Sequence, residues 1–67
     1  MKSFLDKIII DAHIMAGKPV IKGTRITVQY ILDLLAQGIT TEEIIQEYPH
    51  VTEDDICACL WFTKNTL

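Results

Sequence analysis

The sequence has few of the residues that build catalytic, metal-bound or membrane-spanning proteins. Its 67 residues include three glycines, two prolines, two cysteines and 7% aromatic residues. No apolar run approaches the roughly 20 residues that cross a bilayer, and no basic start precedes a long apolar run. We therefore expect a cytoplasmic protein without membrane contact. The length allows a single domain, residues 1–67, with little cleft from which water could be excluded.

The scarcity of cysteine and histidine argues against a metal site. Cys57 and Cys59 lie two residues apart in a predicted helix, where they point to different faces, so we expect two reduced thiols. Zinc needs about four ligands. The two histidines, His13 and His50, are far apart in the chain and form no ligand pattern with the cysteines.

Two further patterns suggest chemistry but do not complete it. A phosphate loop requires Lys and then Ser or Thr after its second glycine, whereas Gly23 is followed by Thr24 and Arg25. Asp11 and His13 alternate on an extended segment, which favours a solvated polar edge over an acid–base pair. We expect no catalytic residue, no cofactor and no enzymatic activity.

Basic residues are fewer than acidic ones, and the two signs are segregated. Six Lys and Arg stand against nine Asp and Glu, for a net charge of −3. Lys18, Lys22 and Arg25 share one short segment, in which Lys18 and Lys22 should lie on one face of an extended chain and could contact nucleic-acid phosphates. The predicted third helix starts with three acids, residues 53–55, which would repel DNA. If DNA is bound, we expect the 18–25 segment to bind it.

The apolar content exceeds what a small monomer easily buries. Hydrophobic residues make up 49% of a 7.6 kDa chain, which favours a homodimer or a protein partner over a tightly packed monomer. Trp61 and Phe62 are adjacent and cannot both face one core, so at least one should look outward. The predicted partner or dimer contacts are therefore these two rings, together with Ile8 and Ile10 at the edge of a ribbon.

Local patterns predict a ribbon in the first part of the chain, followed by a first helix. Residues 8–26 predict a two-stranded ribbon, from a β-branched run at residues 8–10, a second extended piece at residues 18–22 and a turn at residues 23–25. From Thr27 the apolar period becomes 3.6, which predicts a helix over residues 28–37 that Gly38 ends.

The same helix start then occurs twice. Thr40 with Glu43, and Thr52 with Asp55, each form a capping box in which the Thr hydroxyl and the acid bond reciprocally to backbone N–H groups. Pro49 stops the first of these helices. The predicted helices span residues 41–48 and 52–66. The predicted fold class is mainly α, a three-helix, helix-turn-helix-like domain with a short N-terminal β-ribbon.

These motifs together closely resemble the bacterial and archaeal family called domain of unknown function 433. The resemblance covers about residues 8 to 62, and its most specific part is the run from Gly17 to Val28, GKPVIKGTRITV. The other matching positions are Ile31-Leu32, Leu35-Ala36, Gly38, Glu42-Glu43-Ile44, Tyr48-Pro49 and Thr52-Glu53-Asp54-Asp55-Ile56.

The resemblance implies a small three-helical, winged-helix or homeodomain-like fold that is usually dimeric. It also implies an antitoxin of a type II toxin–antitoxin pair, with a PIN-like nuclease toxin as partner. Operator DNA as a further ligand is our own hypothesis, from the basic 18–25 segment. Because the chain ends at Leu67, we expect less wrapping of a toxin than such antitoxins usually provide. The structural signature of the family would be carried by Gly17, Pro19, Gly23, Thr24, Gly38 and Pro49.

A second interpretation gives that signature a purely structural role. The glycines and Pro19 would then build a dimeric interaction module without DNA binding, and Arg25 would bond to a carboxylate or a helix end.

Overall fold

The structure is a computed structural model that describes residues 5–65. Three α-helices follow a short N-terminal sheet, which confirms the predicted fold class. Strands β1 and β2 span Ile8–Ile9 and Val20–Ile21, and helices α1, α2 and α3 span Val28–Ala36, Thr41–Glu47 and Glu53–Asn65. Single 3-10 turns occupy Leu5–Lys7 and Met15–Gly17. Within the described residues no helix is long and apolar enough to cross a membrane.

The ribbon is shorter than residues 8–26 suggested. Its antiparallel register pairs Ile8 with Ile21 and Ile9 with Val20. Along its other edge β2 is bridged at Val20 to Thr27, the residue that caps α1. The sheet is therefore tied to the start of α1.

The turn after β2 is held by its own threonine. The Thr24 hydroxyl donates to the Ile21 carbonyl at 2.8 Å and accepts from the Ile26 N–H at 3.0 Å. The Ile21 N–H donates to the Ile26 carbonyl at 2.9 Å. Gly23 has φ +82°, a left-handed conformation that favours glycine. The Gly-Thr pair therefore makes a rigid turn that leads the chain into α1.

Helix α1 starts and stops as predicted, one residue short of the expected end. The Thr27 hydroxyl accepts from the Tyr30 N–H at 3.0 Å. At the other end Gly38 has φ +88°, and the Ile39 N–H donates back to the Leu34 carbonyl at 3.1 Å. The Gly38 N–H donates to the Leu35 carbonyl at 3.0 Å, which completes a Schellman stop.

Both predicted capping boxes are confirmed. The Thr40 N–H donates to Glu43 at 2.9 Å and the Glu43 N–H donates to the Thr40 hydroxyl at 3.2 Å. The corresponding distances for Thr52 and Asp55 are 3.0 and 3.1 Å. The backbone hydrogen bond from Thr40 lowers the pKa of Glu43, because it favours the ionised carboxylate.

One core joins the sheet and all three helices. Its buried members are Ile8, Ile21, Val28, Ile31, Ile44, Val51, Ile56, Ala58 and Cys59.

One prediction about α3 was wrong. The apolar period of this helix predicts that Leu60 lies on one stripe with Ile56, Cys59 and Thr63. Ile56 and Cys59 are buried, but Leu60 is 50% exposed and Ala58 is fully buried instead. Because α3 packs against α1, α2, β1 and the first 3-10 turn at once, its buried arc is broader and rotated relative to the expected stripe.

Candidate nucleic-acid and partner-binding surfaces

A small group of cations gathers where the sheet meets the turn after β2. The Lys22 N–H donates to the Lys7 carbonyl at 2.8 Å, which puts the two lysines side by side, and Arg25 follows in the same turn. We call Lys7, Lys22 and Arg25 the basic turn. Within residues 5–65 none of the three forms an ion pair, and both Lys22 and Arg25 are exposed. Their charges are therefore available to a polyanion.

Lys7 was missed by sequence reasoning. It lies 15 residues before Lys22 and reaches it only because β1 pairs with β2. Lys7 directly precedes the apolar β-branched run at residues 8–10, which indicated that it lies at the start of a strand. That pattern did not indicate that Lys22 would be its neighbour.

Carboxylates lie beside the basic turn. A cleft of about 250 Å³ is lined by Asp6, Lys7, Lys22 and Asp55. The Asp55 carboxylate is held there by its capping bond from the Thr52 N–H. The surface around Lys22 is therefore of mixed sign, whereas Arg25 does not line this cleft.

Lys18 is separated from the basic turn. It lines a different cleft, of about 240 Å³, whose walls include Pro19, Val28, Leu32 and Phe62. The expectation that Lys18 and Lys22 share one face was wrong. That rule requires an extended chain between them, but only Val20–Ile21 is strand and Lys22 already belongs to the turn.

The first half of the family signature builds a turn. Met15, Ala16 and Gly17 all have positive φ, of 49°, 58° and 82°. Upstream of them the Asp11 carboxylate accepts from the His13 N–H at 2.8 Å. The alternation expected of Asp11 and His13 is thus replaced by a tight turn in which the acid caps the backbone. These contacts give the signature a structural role at this end.

The predicted partner contacts differ in exposure. Ile10 is 62% exposed, whereas Ile8 is 9% exposed and belongs to the core of its own chain. Trp61 and Phe62 are both half-buried. Phe62 packs against the core, so neither ring looks fully outward, and Ile10 is the predicted contact with the largest exposed fraction.

The outward side of α3 has an acidic residue at one end, a basic residue at the other end and apolar residues between them. Its exposed residues along one stripe are Glu53, Cys57, Leu60 and Lys64, and Trp61 flanks them. In a DNA-binding helix-turn-helix the start of this helix would face base edges. Here that start carries three acids, residues 53–55, which would repel a polyanion.

The two cysteines have opposite surroundings. Cys57 is exposed and Cys59 is buried, and both are free thiols. Burial, with a smaller contribution from Asp55, raises the pKa of Cys59 to about 12, so this thiol stays protonated at neutral pH. Across residues 5–65 no three His, Cys, Asp or Glu side chains are grouped so that they could hold a metal ion.

A tyrosine pair that sequence reasoning missed connects α1 to the end of α2. The Tyr30 and Tyr48 hydroxyls are 2.5 Å apart and the rings meet edge to face, with centroids 6.0 Å apart. The hydrogen bond between the two hydroxyls raises the pKa of Tyr48, because it favours the protonated form of that hydroxyl. The pair thus links α1 to the end of α2 at the surface.

Comparison with known proteins agrees with this architecture. The family described as "Protein of unknown function (DUF433)" matches residues 8–63. A crystal structure of a DUF433 member protein from Anabaena variabilis ATCC 29413 superimposes with a TM-score of 0.87 at 26% identity. The alignment covers 92% of this chain and 61% of that protein, so this chain spans less than two thirds of its length.

No curated protein matches the sequence. The family match nevertheless extends over both strands and almost all of α3. With the Gly-Thr turn, the Schellman stop and the two capping boxes all lying inside residues 8–63, the chain belongs to the DUF433 family.

Proposed function

We propose that the chain is a non-enzymatic binding module of the antitoxin kind, acting in the cytoplasm as a homodimer, with a PIN-like toxin as protein partner and operator DNA as a second ligand. The proposal for DNA depends on one observation above all. Arg25 is exposed at the end of a rigid turn and has no hydrogen-bond or ion-pair partner among residues 5–65.

A structural role for Arg25 would require a partner. The alternative interpretation expected a carboxylate or a helix end beside Arg25, and within the described chain its guanidinium bonds to neither. The neighbouring residues Gly23 and Thr24 already hold the turn through backbone and hydroxyl contacts. The cation is thus free to contact phosphate, where Arg can make two parallel hydrogen bonds.

The position of the basic turn fits contact with the DNA backbone better than base recognition. The basic turn lies outside α3, and the first turn of α3 carries three acids. Phosphate contacts fix orientation and contribute salt-dependent affinity without reading sequence. A homodimer would present two such turns and so double the number of neutralised phosphates.

The DNA half is tested by a salt series on DNA from the region upstream of the gene. The logarithm of the binding constant should fall linearly with the logarithm of salt concentration, and the slope should shrink by about 1 for each phosphate contact removed. Lys22→Ala and Arg25→Ala should each reduce it. Lys18→Ala is the matched control, because it removes the same charge from a different cleft and should change the slope little.

The Arg25→Ala variant also separates the two interpretations. If Arg25 binds DNA, the Arg25→Ala variant should have the thermal midpoint of the wild type and a smaller salt-dependence slope. A lower midpoint with an unchanged slope would overturn the DNA proposal in favour of the structural interpretation. The acids Asp6 and Asp55 beside Lys22 favour that second candidate, a protein-interaction module without DNA binding.

The toxin half is tested with the product of the adjacent gene. Co-expression should give a complex, and the ribonuclease activity of the purified partner should fall when the chain is added. An unchanged activity in a stable complex, or no complex at all, would remove the antitoxin assignment.

A further inference from the structure

The outward stripe of α3 is self-complementary under two-fold symmetry. Glu53 and Lys64 lie at its ends, and Cys57 and Leu60 lie between them. In an antiparallel helix pair, residue i of one copy faces residue j of the other, and j faces i in return. The pairs Glu53 with Lys64 and Cys57 with Leu60 share one midpoint, between Ala58 and Cys59.

We propose that two copies of this chain associate through the outward side of α3, packed antiparallel about that midpoint. Each Glu53 then meets the other copy's lysine at the far end of the helix. Leu60, which is 50% exposed in one chain, covers Cys57 of the other. Trp61 flanks this contact and closes its edge, which is a common position for aromatic residues in interfaces.

Charge selects a second copy over other occupants. A nucleic acid would meet Glu53 at one end of the stripe and an uncharged surface in the middle. A parallel partner helix would oppose like charges at both ends. The antiparallel copy places opposite charges together at both ends and buries the apolar centre, and its helix dipole runs antiparallel to that of the first copy.

The interface is small, so the dimer should be weak. A standard stable interface buries about 800 Å² on each partner, whereas α3 has 13 residues and extends about 20 Å. We expect a dissociation constant of roughly 10–500 μM.

The experiment is sedimentation equilibrium without DNA, over protein concentrations that span the expected dissociation constant. Glu53→Lys and Lys64→Glu should each weaken the dimer at least about tenfold, because each places like charges together at both ends of the pair. The double variant Glu53→Lys/Lys64→Glu should restore it. Glu42→Lys, the same change at the exposed first turn of α2, is the matched control and should leave the mass unchanged.

A second measurement does not depend on charge. Two Cys57 residues would be offset by about 4.5 Å along the helix axes, with the axes roughly 8–10 Å apart. A short bis-maleimide should therefore couple two chains through Cys57, and Leu60→Asp should abolish the product.

The competing explanation is that Glu53 and Lys64 only complement their own helix dipole. Each single variant would then lower the thermal midpoint without changing the mass, and the double variant would not recover it. That result, or a monomer at every concentration, overturns the interface. Because no DNA is present, its failure leaves the test of the basic turn unaffected.

Discussion

The left-handed turn at Met15–Gly17 predicts a glycine substitution that stabilises the protein. Ala16 is exposed and has φ 58° and ψ 33°. For a residue with a Cβ this conformation costs roughly 1–2 kcal/mol. Glycine removes that cost but adds about 0.5–1 kcal/mol of backbone entropy to be lost on folding. Ala16→Gly should therefore raise the free energy of unfolding by about 0.5–1 kcal/mol.

The matched control is Ala36→Gly at the end of α1. Ala36 is also exposed, but it is helical, so glycine there should lower the free energy of unfolding by up to about 1 kcal/mol. The same chemical change thus has opposite signs at two surface positions. In a domain of this size about 1 kcal/mol shifts the thermal midpoint by roughly 4–8 °C.

The assay is thermal unfolding followed by circular dichroism, with urea unfolding to check that the slope m is unchanged. A shared slope shows that both variants unfold from the same compact state. A lower midpoint for Ala16→Gly, like that of Ala36→Gly, would mean that Ala16 is not left-handed in solution.

Two further predictions concern titratable groups. The pKa of Glu43 is lowered from 4.5 in the folded protein, so its stabilising contribution is present above that value and lost as the pH falls through the folded pKa. Glu43→Gln should remove this part of the acid-induced loss of stability, and parallel stability curves for the two proteins would contradict the assignment. For the thiols, maleimide should add one group, at Cys57, to the native protein in dilute solution, because Cys59 is buried with its pKa raised to about 12. Mass spectrometry should show the second adduct only in denaturant, and equal labelling rates would rule out the buried position.

Predictions of helix ends succeeded because each depends on residues a few positions apart. The Thr40 and Thr52 hydroxyls each bond to a backbone N–H three residues later. The Gly38 stop uses carbonyls of the turn just before it. Such contacts form whenever the local chain is helical, so sequence spacing specifies them without knowledge of the rest of the fold.

Predictions of which side chains lie on the same side of a strand or helix failed where segments distant in sequence pack together. Lys18 and Lys22 are four residues apart but line different clefts, since the strand between them is two residues long. Leu60 faces outward because α3 contacts four other elements and is rotated by their combined packing. Neither result follows from a single period of apolar residues.

The three helices, their caps and the Gly-Thr turn followed from the sequence alone, because they depend on local hydrogen bonds and backbone conformation. The family followed from the residues that match it. The tertiary structure decided which cations are neighbours and which side of α3 is open. Lys7 joins Lys22 through strand pairing, and Asp55 approaches them because α3 packs beside that strand. Surfaces made from separate segments are set by how the elements pack, and local sequence spacing does not encode that arrangement.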